Sequence, residues 1–240
     1  MKLEYPKEWF QRSAEIEGES EVGAGVPPGP RGSGDTELSS VGLSFSHKKA
    51  IQSLNFFAVR AGGSLNKMKA LKLIYFADRC HLRTHGRPIT NDTYFAMAYG
   101  PVASACLNLL NEDEDFTGAV ENSYRAENIE RLDKNTYRSV APVNVRVLSE
   151  SDLAALQFSW DHYAARSQFQ LAEETHLFPE WLIHKAALDS GQATRRHMPY
   201  RDFLENPPVG VDPLPLLDPE IQQVRASGLE ELHSLASIWR

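Results

Sequence analysis

Between residues 23 and 34 the chain carries Gly23, Gly25, Pro27, Pro28, Gly29, Pro30, Gly32 and Gly34. Proline removes a backbone donor and glycine has the most conformational freedom to lose, so neither a helix nor a central strand survives that density. The run predicts a linker over about residues 19–40, with the main body starting near Ser46. Ahead of the linker, Pro6 suits a first helical turn, and Trp9 and Ile16 share one helical face. A helix over residues 6–18 is expected. At about three turns it is marginal alone in water, so Trp9, Phe10 and Ile16 are expected to form an interface helix that needs a surface to lie on.

The body is long enough to bury a core without staples: the chain has 240 residues, 42% of them hydrophobic. No apolar run approaches the 18 residues of a membrane span. The first twenty residues carry acids and lack the apolar stretch of a signal peptide. Two cysteines, Cys80 and Cys106, exclude a disulfide scaffold and a four-cysteine zinc site, and a cytoplasmic setting is expected. A net charge of −7 argues against membrane association and against direct nucleic-acid binding by the chain as a whole.

Periodicity predicts a mainly α body. Ile51, Leu54, Phe57 and Ala58 keep helical spacing up to Gly62-Gly63. A second helix is expected over Leu65–Arg83, stopped by Gly86 and Pro88, with Lys67, Lys69, Lys72 and Arg79 on a solvated face. Thr93–Ala98 reads as extended, Gly100-Pro101 as a turn, and 102–110 as a helix. Thr136–Val140 and Val143–Val147, with Pro142 between, predict a small β-hairpin. Ser149 opens a helix carrying Leu153, Leu156, Phe158, Trp160 and Tyr163, and a short helix follows over 178–188. A proline-rich loop over 199–219 precedes a last helix capped by Asp218. Its apolar positions include Ile221, Val224 and Leu232.

No reactive constellation stands out. There is no phosphate-binding glycine loop and no nucleophile elbow. His81 and His85, one turn apart beside Cys80, lack a third zinc ligand, and at a helix C-terminus they complement the dipole. Asn111, Asp113 and Asp115 copy the start of a calcium loop, but Phe116 replaces its glycine and Asn122 its terminal glutamate. Asp78 and His81 have no companion nucleophile or oxyanion donor.

Three ordered blocks are more particular: Leu71-Lys72-Leu73-Ile74-Tyr75-Phe76-Ala77-Asp78-Arg79, Gly86-Arg87-Pro88-Ile89-Thr90-Asn91-Asp92, and Tyr99-Gly100-Pro101-Val102. They resemble the Panacea domain, also described as the SocA-like or phage-associated GepA-like family. Its pattern runs K-L-L-Y-F-A-D, then G-R-P-I-T-G-D, then Y-G-P-V. Leu148-Ser149-Glu150, His176 and Trp181 follow it too. Asn91 stands where the family commonly has glycine, and asparagine tolerates the left-handed conformation glycine would serve. The resemblance covers residues 46–188. Residues 1–40, the short helix and linker, fall outside it, as do 189–240, the proline-rich loop and C-terminal helix.

The resemblance implies a compact helical domain and an antitoxin of a toxin–antitoxin system, in a prophage or phage-defence setting. It would neutralise a cognate toxin by direct protein–protein binding, with no catalysis, cofactor or metal. Toxins paired with such antitoxins include tRNA-modifying, alarmone-synthetase-like enzymes. The acidic balance suits a basic partner. A protease adaptor delivering the toxin for degradation is the alternative, followed by a small enzyme acting on nucleotides and a DNA-binding autorepressor. Tyr75, Asp78, Arg79, Arg87, Tyr94, Tyr99 and Pro101 are expected on the motif surface that meets the toxin, the alternative being that Leu71–Asp78 is simply core with one buried, satisfied Asp78. Asp78, Arg79 and Arg87 are expected to pair as ions at the corner. Homo-oligomerisation stays open.

Overall fold

The computed structural model describes residues 44–238. The chain divides into two units, Met1–Ser40 and Val41–Arg240; Trp9, Phe10, Ile16 and the linker lie outside the described residues. In chain order, the body runs α1 (His47–Arg60), β1 (Ser64–Asn66), α2 (Lys67–His85), β2 (Tyr94–Met97), β3 (Gly100–Ala103), α3 (Ser104–Asn111), α4 (Ala119–Asn128), β4 (Ile129–Arg131) and β5 (Thr136–Ser139). Then come α5 (Glu150–Tyr163), α6 (Gln168–Thr175), α7 (Pro179–Leu182), α8 (Lys185–Asp189), β6 (Arg196–Met198) and α9 (Pro219–Ile238). This is the mainly helical architecture the periodicity predicts, with two small antiparallel sheets ordered β1-β5-β4 and β3-β2-β6.

The organising element is α2. It starts where the Asn66 side chain accepts from the Lys69 N–H at 3.2 Å, and it ends at Gly86, whose φ of 74° is left-handed. It is buried from Ala70 through Arg83 on every face. A helix without a wet side must be wrapped. The wrapping comes from α1, α5, α6, strands β1 and β3, and the turn of 3₁₀ helix at Tyr200–Leu204. Phe76 stacks on Tyr163 of α5 at 3.6 Å, and Tyr75 meets Phe178 and Phe203 edge-on or tilted. The solvated face expected for α2 does not exist: Lys67 is 5%, Lys72 1% and Arg79 1% exposed. Helical spacing locates one apolar stripe but does not reveal that later segments cover the opposite face.

The hairpin expected over 136–147 is corrected. β5 does form, but its partners are β1 and β4. With both edges of β5 taken, Val143–Val147 has no strand to join. It folds instead into a 3₁₀ turn at Val145–Val147, where Asn144 donates its N–H to Gln52 Oε1 and accepts from the Arg146 N–H. A second correction concerns Gly100-Pro101. The tight turn falls at Ala98-Tyr99, since Met97 pairs with Gly100, and Gly100-Pro101 open edge strand β3. Pro101 lacks a ladder donor, which an edge tolerates. Helices α4 and α6 were not expected. For α6 the signal was present: Ser167 and Gln170 make a capping box. The 178–188 helix is split into α7 and α8.

The segment after residue 189, set apart by the sequence reading, supplies interior groups. β6 pairs with β2, Phe203 and Leu204 are buried, and Asp212 is ion-paired to Arg79 of α2.

Candidate functional site

The residues of the three sequence blocks converge on α2 and the strands beside it. Asp78, at 0% exposure, accepts from the Ile89 N–H at 2.8 Å and the Thr90 N–H at 3.0 Å. It also accepts from Thr90 Oγ1 at 2.5 Å and Tyr94 Oη at 2.9 Å. Its carboxylate thus fastens the second block to the first. Burial pushes the Asp78 carboxyl up to about 6, against those hydrogen bonds, which favour the charged form. Between them, Asn91 takes a φ of 53°, the left-handed conformation anticipated for it. Asp92 then turns its two oxygens to the Ala105 and Cys106 N–H groups, each at 2.8 Å. It caps α3 from twelve residues upstream of the first helical position, and burial raises its carboxyl against those bonds.

The third block is held by Lys72. Its Nζ donates to the Pro101 carbonyl at 2.7 Å, and no carboxylate forms an ion pair with it among the described residues. Desolvation lowers this ammonium to about 7. Gly100 makes the approach possible. Its φ is 89°, and a Cβ there would fall on Thr175 Oγ1 and lie 2.9 Å from Lys72 Nζ.

Further along the same face of α2, Arg79 is ion-paired to Glu180 at 2.7 Å and to Asp212, and its guanidinium lies 4.5 Å from the Phe178 ring centroid. Burial alone would depress Arg79, but Glu180 and the other acidic groups around it raise it above its ordinary value. Tyr75 Oη donates to the same Glu180 oxygen at 2.7 Å. Arg83 donates to the carbonyls of Phe203, Leu204 and Glu205 and to Asn206 Oδ1. These partners explain why two arginines sit in the core: each is multiply bonded where it is buried.

The expected ion pairing at the corner is therefore replaced. Asp78 pairs with neither arginine, Arg79 pairs with Glu180 and Asp212, and Arg87 lies 3.6 Å from Asp152. His81 Nδ1 bonds the Arg87 carbonyl at 2.6 Å, and Nε2 lies 3.0 Å from Ser151 Oγ. Burial lowers the imidazole to about 4, against the Asp152 carboxylate 3.2 Å from Nε2, which raises it. Both ring nitrogens being engaged, the pair with His85 has no free ligand to offer from His81. Among the described residues no cluster of three or more His, Cys, Asp or Glu is placed to hold a metal.

Of the seven residues expected on a motif surface, Tyr75, Asp78, Arg79, Tyr94 and Pro101 are buried. Arg87 and Tyr99 face outward, Tyr99 at 66% exposure. Sequence reasoning missed Lys72, Arg83, Asp92, Glu180 and Asp212 as members of the framework. Asp92 had no local helix-start signal, since it lies twelve residues ahead of the helix it caps. The partners of Arg79 had none, since Glu180 and Asp212 are separated from it by 101 and 133 residues. A cavity of 410 Å³ lies beside this framework, between Asp92, Tyr94, Met198 and Tyr200 on one side and Leu229 and Glu230 of α9 on the other.

The residues of the three blocks are thus bonded to one another and to neighbouring segments inside a mainly helical body. Residues 71–182 match the model of the family described as antitoxin SocA-like, Panacea domain, so the chain carries a Panacea domain from within α2 to the end of α7. That match supports a toxin–antitoxin role in general terms. No curated protein and no solved structure matches the chain. No helix among the described residues is long and apolar enough to cross a membrane.

Proposed function

We propose that this protein neutralises a cognate toxin by direct protein–protein binding and performs no chemistry of its own. One observation carries the reading: the buried polar side chains of the Panacea blocks are spent on internal bonds. Lys72 holds the Pro101 carbonyl, Asp78 holds Ile89, Thr90 and Tyr94, and Asp92 caps α3. Groups consumed in this way stiffen a surface rather than attack a substrate, and stiffness lowers the entropy cost of binding.

Co-expression with the product of the adjoining reading frame tests the proposal. Growth should be restored, the two chains should co-purify, and the half-life of the toxin should not shorten. A shortened half-life identifies a protease adaptor instead, and absence of both rescue and co-purification refutes the reading. The N-terminal segment is proposed to add to the interface through Trp9, Phe10 and Ile16, because tryptophan is enriched at interface hot spots. Deleting residues 1–40 should weaken neutralisation while leaving the melting transition of the body intact. Unchanged neutralisation and oligomeric state dismiss that contribution.

A further inference from the structure

The outward face of the β3-β2-β6 sheet is composed differently from the rest of the chain. Register places Phe95 between Val102 on β3 and His197 on β6. Their neighbours along the strands, Tyr94, Ala96, Ala103 and Met198, point inward and are 0–2% exposed. Phe95, Met97 and Val102 are only half-buried, and Tyr99 stands 66% exposed at the turn joining β2 to β3. Beside them stand Arg195 and His197; Arg196 between them pairs across from the inward Ala96 and so lies on the other face, and all three are exposed. None of the three has an ion-pair partner among the described residues. In a chain of net charge −7, this is a cationic edge along an aromatic strand.

We infer that this sheet face is the surface that docks the toxin, and that the matching patch on the toxin is apolar with carboxylates at its border. The inference rests on the proposed antitoxin role. Its argument is charge complementarity. The Arg195 guanidinium lies 5.0 Å from the Phe95 ring centroid, and the His197 ring meets Phe95 edge-on at 5.9 Å. An arginine stacked in this way has its planar fork held in place, and a carboxylate is the group that fills such a fork with two parallel hydrogen bonds. Arginine and tyrosine side chains also match the composition of interface hot spots.

The same stacking disfavours a nucleic acid as occupant, because the ring face a base would stack on already carries Arg195. The negative charge of the whole chain does not oppose the assignment. At physiological salt fields fade over about 8 Å, so contact is governed by the local patch. The whole-chain charge acts on encounter at longer range, and the partner therefore need not be basic where it touches.

Three full-length single variants test the assignment against the product of the adjoining reading frame, scored by growth rescue and by affinity of the purified pair. Arg195→Glu and Tyr99→Ser should each weaken binding by about tenfold or more and impair rescue. Lys134→Glu, which makes the same charge change on an exposed turn by the other sheet, should leave both unchanged. Circular dichroism melts of all three should coincide with wild type. Wild-type rescue that all three variants retain in full overturns the docking surface and leaves the antitoxin reading standing. Failure of the wild-type chain itself to rescue or bind overturns the reading beneath it. Two results reassign the face and overturn the inference: a wild-type dimer that Arg195→Glu dissociates without affecting toxin binding, or an affinity for single-stranded RNA that Arg195→Glu abolishes while toxin binding persists.

Discussion

Lys72 offers the sharpest test of the buried framework. Its ammonium is 1% exposed, bonded to one carbonyl and lowered by desolvation to about 7 from an ordinary 10.5. The folded-state value lies below the unfolded one. Between pH 7 and 10.5 the folded chain therefore binds fewer protons than the unfolded chain, and this residue makes stability rise with pH across that window. Working the two titrations through, the contribution from Lys72 grows by about 2 kcal/mol between pH 7 and pH 9. Lys72→Met deletes the titration while keeping an unbranched chain of similar length. The Pro101 carbonyl loses its donor in the variant at both pH values, so that cost drops out of the comparison. Cys80 and Cys106, whose thiols burial pushes up, pull stability down at alkaline pH in both proteins and also cancel. Guanidinium unfolding of wild type and variant at pH 7 and 9, analysed with a common slope, gives the difference. Relative to the variant, wild type should gain about 2 kcal/mol on going to pH 9. A difference that does not change with pH means Lys72 is not a desolvated ammonium, and the account of the third block falls with it.

Two further substitutions probe the other blocks. Asp78→Ala strands two backbone N–H groups and the hydroxyls of Thr90 and Tyr94 in a dry interior, and should cost about 3–5 kcal/mol by denaturant unfolding; a variant that unfolds like wild type but fails to bind toxin would place Asp78 in the interface instead. Gly100→Ala demands a side chain at a φ of 89° and puts a methyl onto Thr175. It should lower stability by about 2 kcal/mol or more, and an unchanged melting temperature would show that β3 can move away from α6.

Much of the body was legible because helices advertise themselves locally. The stops at Gly86 and Pro88, the cap at Ser149 and the spacing through α1 and α5 depend only on neighbours along the chain, and the structure keeps them. The left-handed turn at Asn91 was legible for the same reason: the residue type states what its own backbone can adopt. The hairpin failed because strand pairing is settled by which edges remain free, and β5 gives its edges to β1 and β4.

What the sequence determined by itself is the central helix, its flanking corners and the three blocks that mark a Panacea domain. Each is written in contiguous residues. Only the tertiary structure decided what those blocks do. Lys72 and Arg79 sit at positions that helical spacing assigns to solvent. They are buried because Pro101, Glu180 and Asp212 arrive from distant segments to bond them. A buried charge is tolerable only where its partners converge, and that convergence has no trace in local pattern. The same convergence drew most of the block side chains inward and left Tyr99 and Arg195 exposed, with Phe95 half-buried beside Arg195.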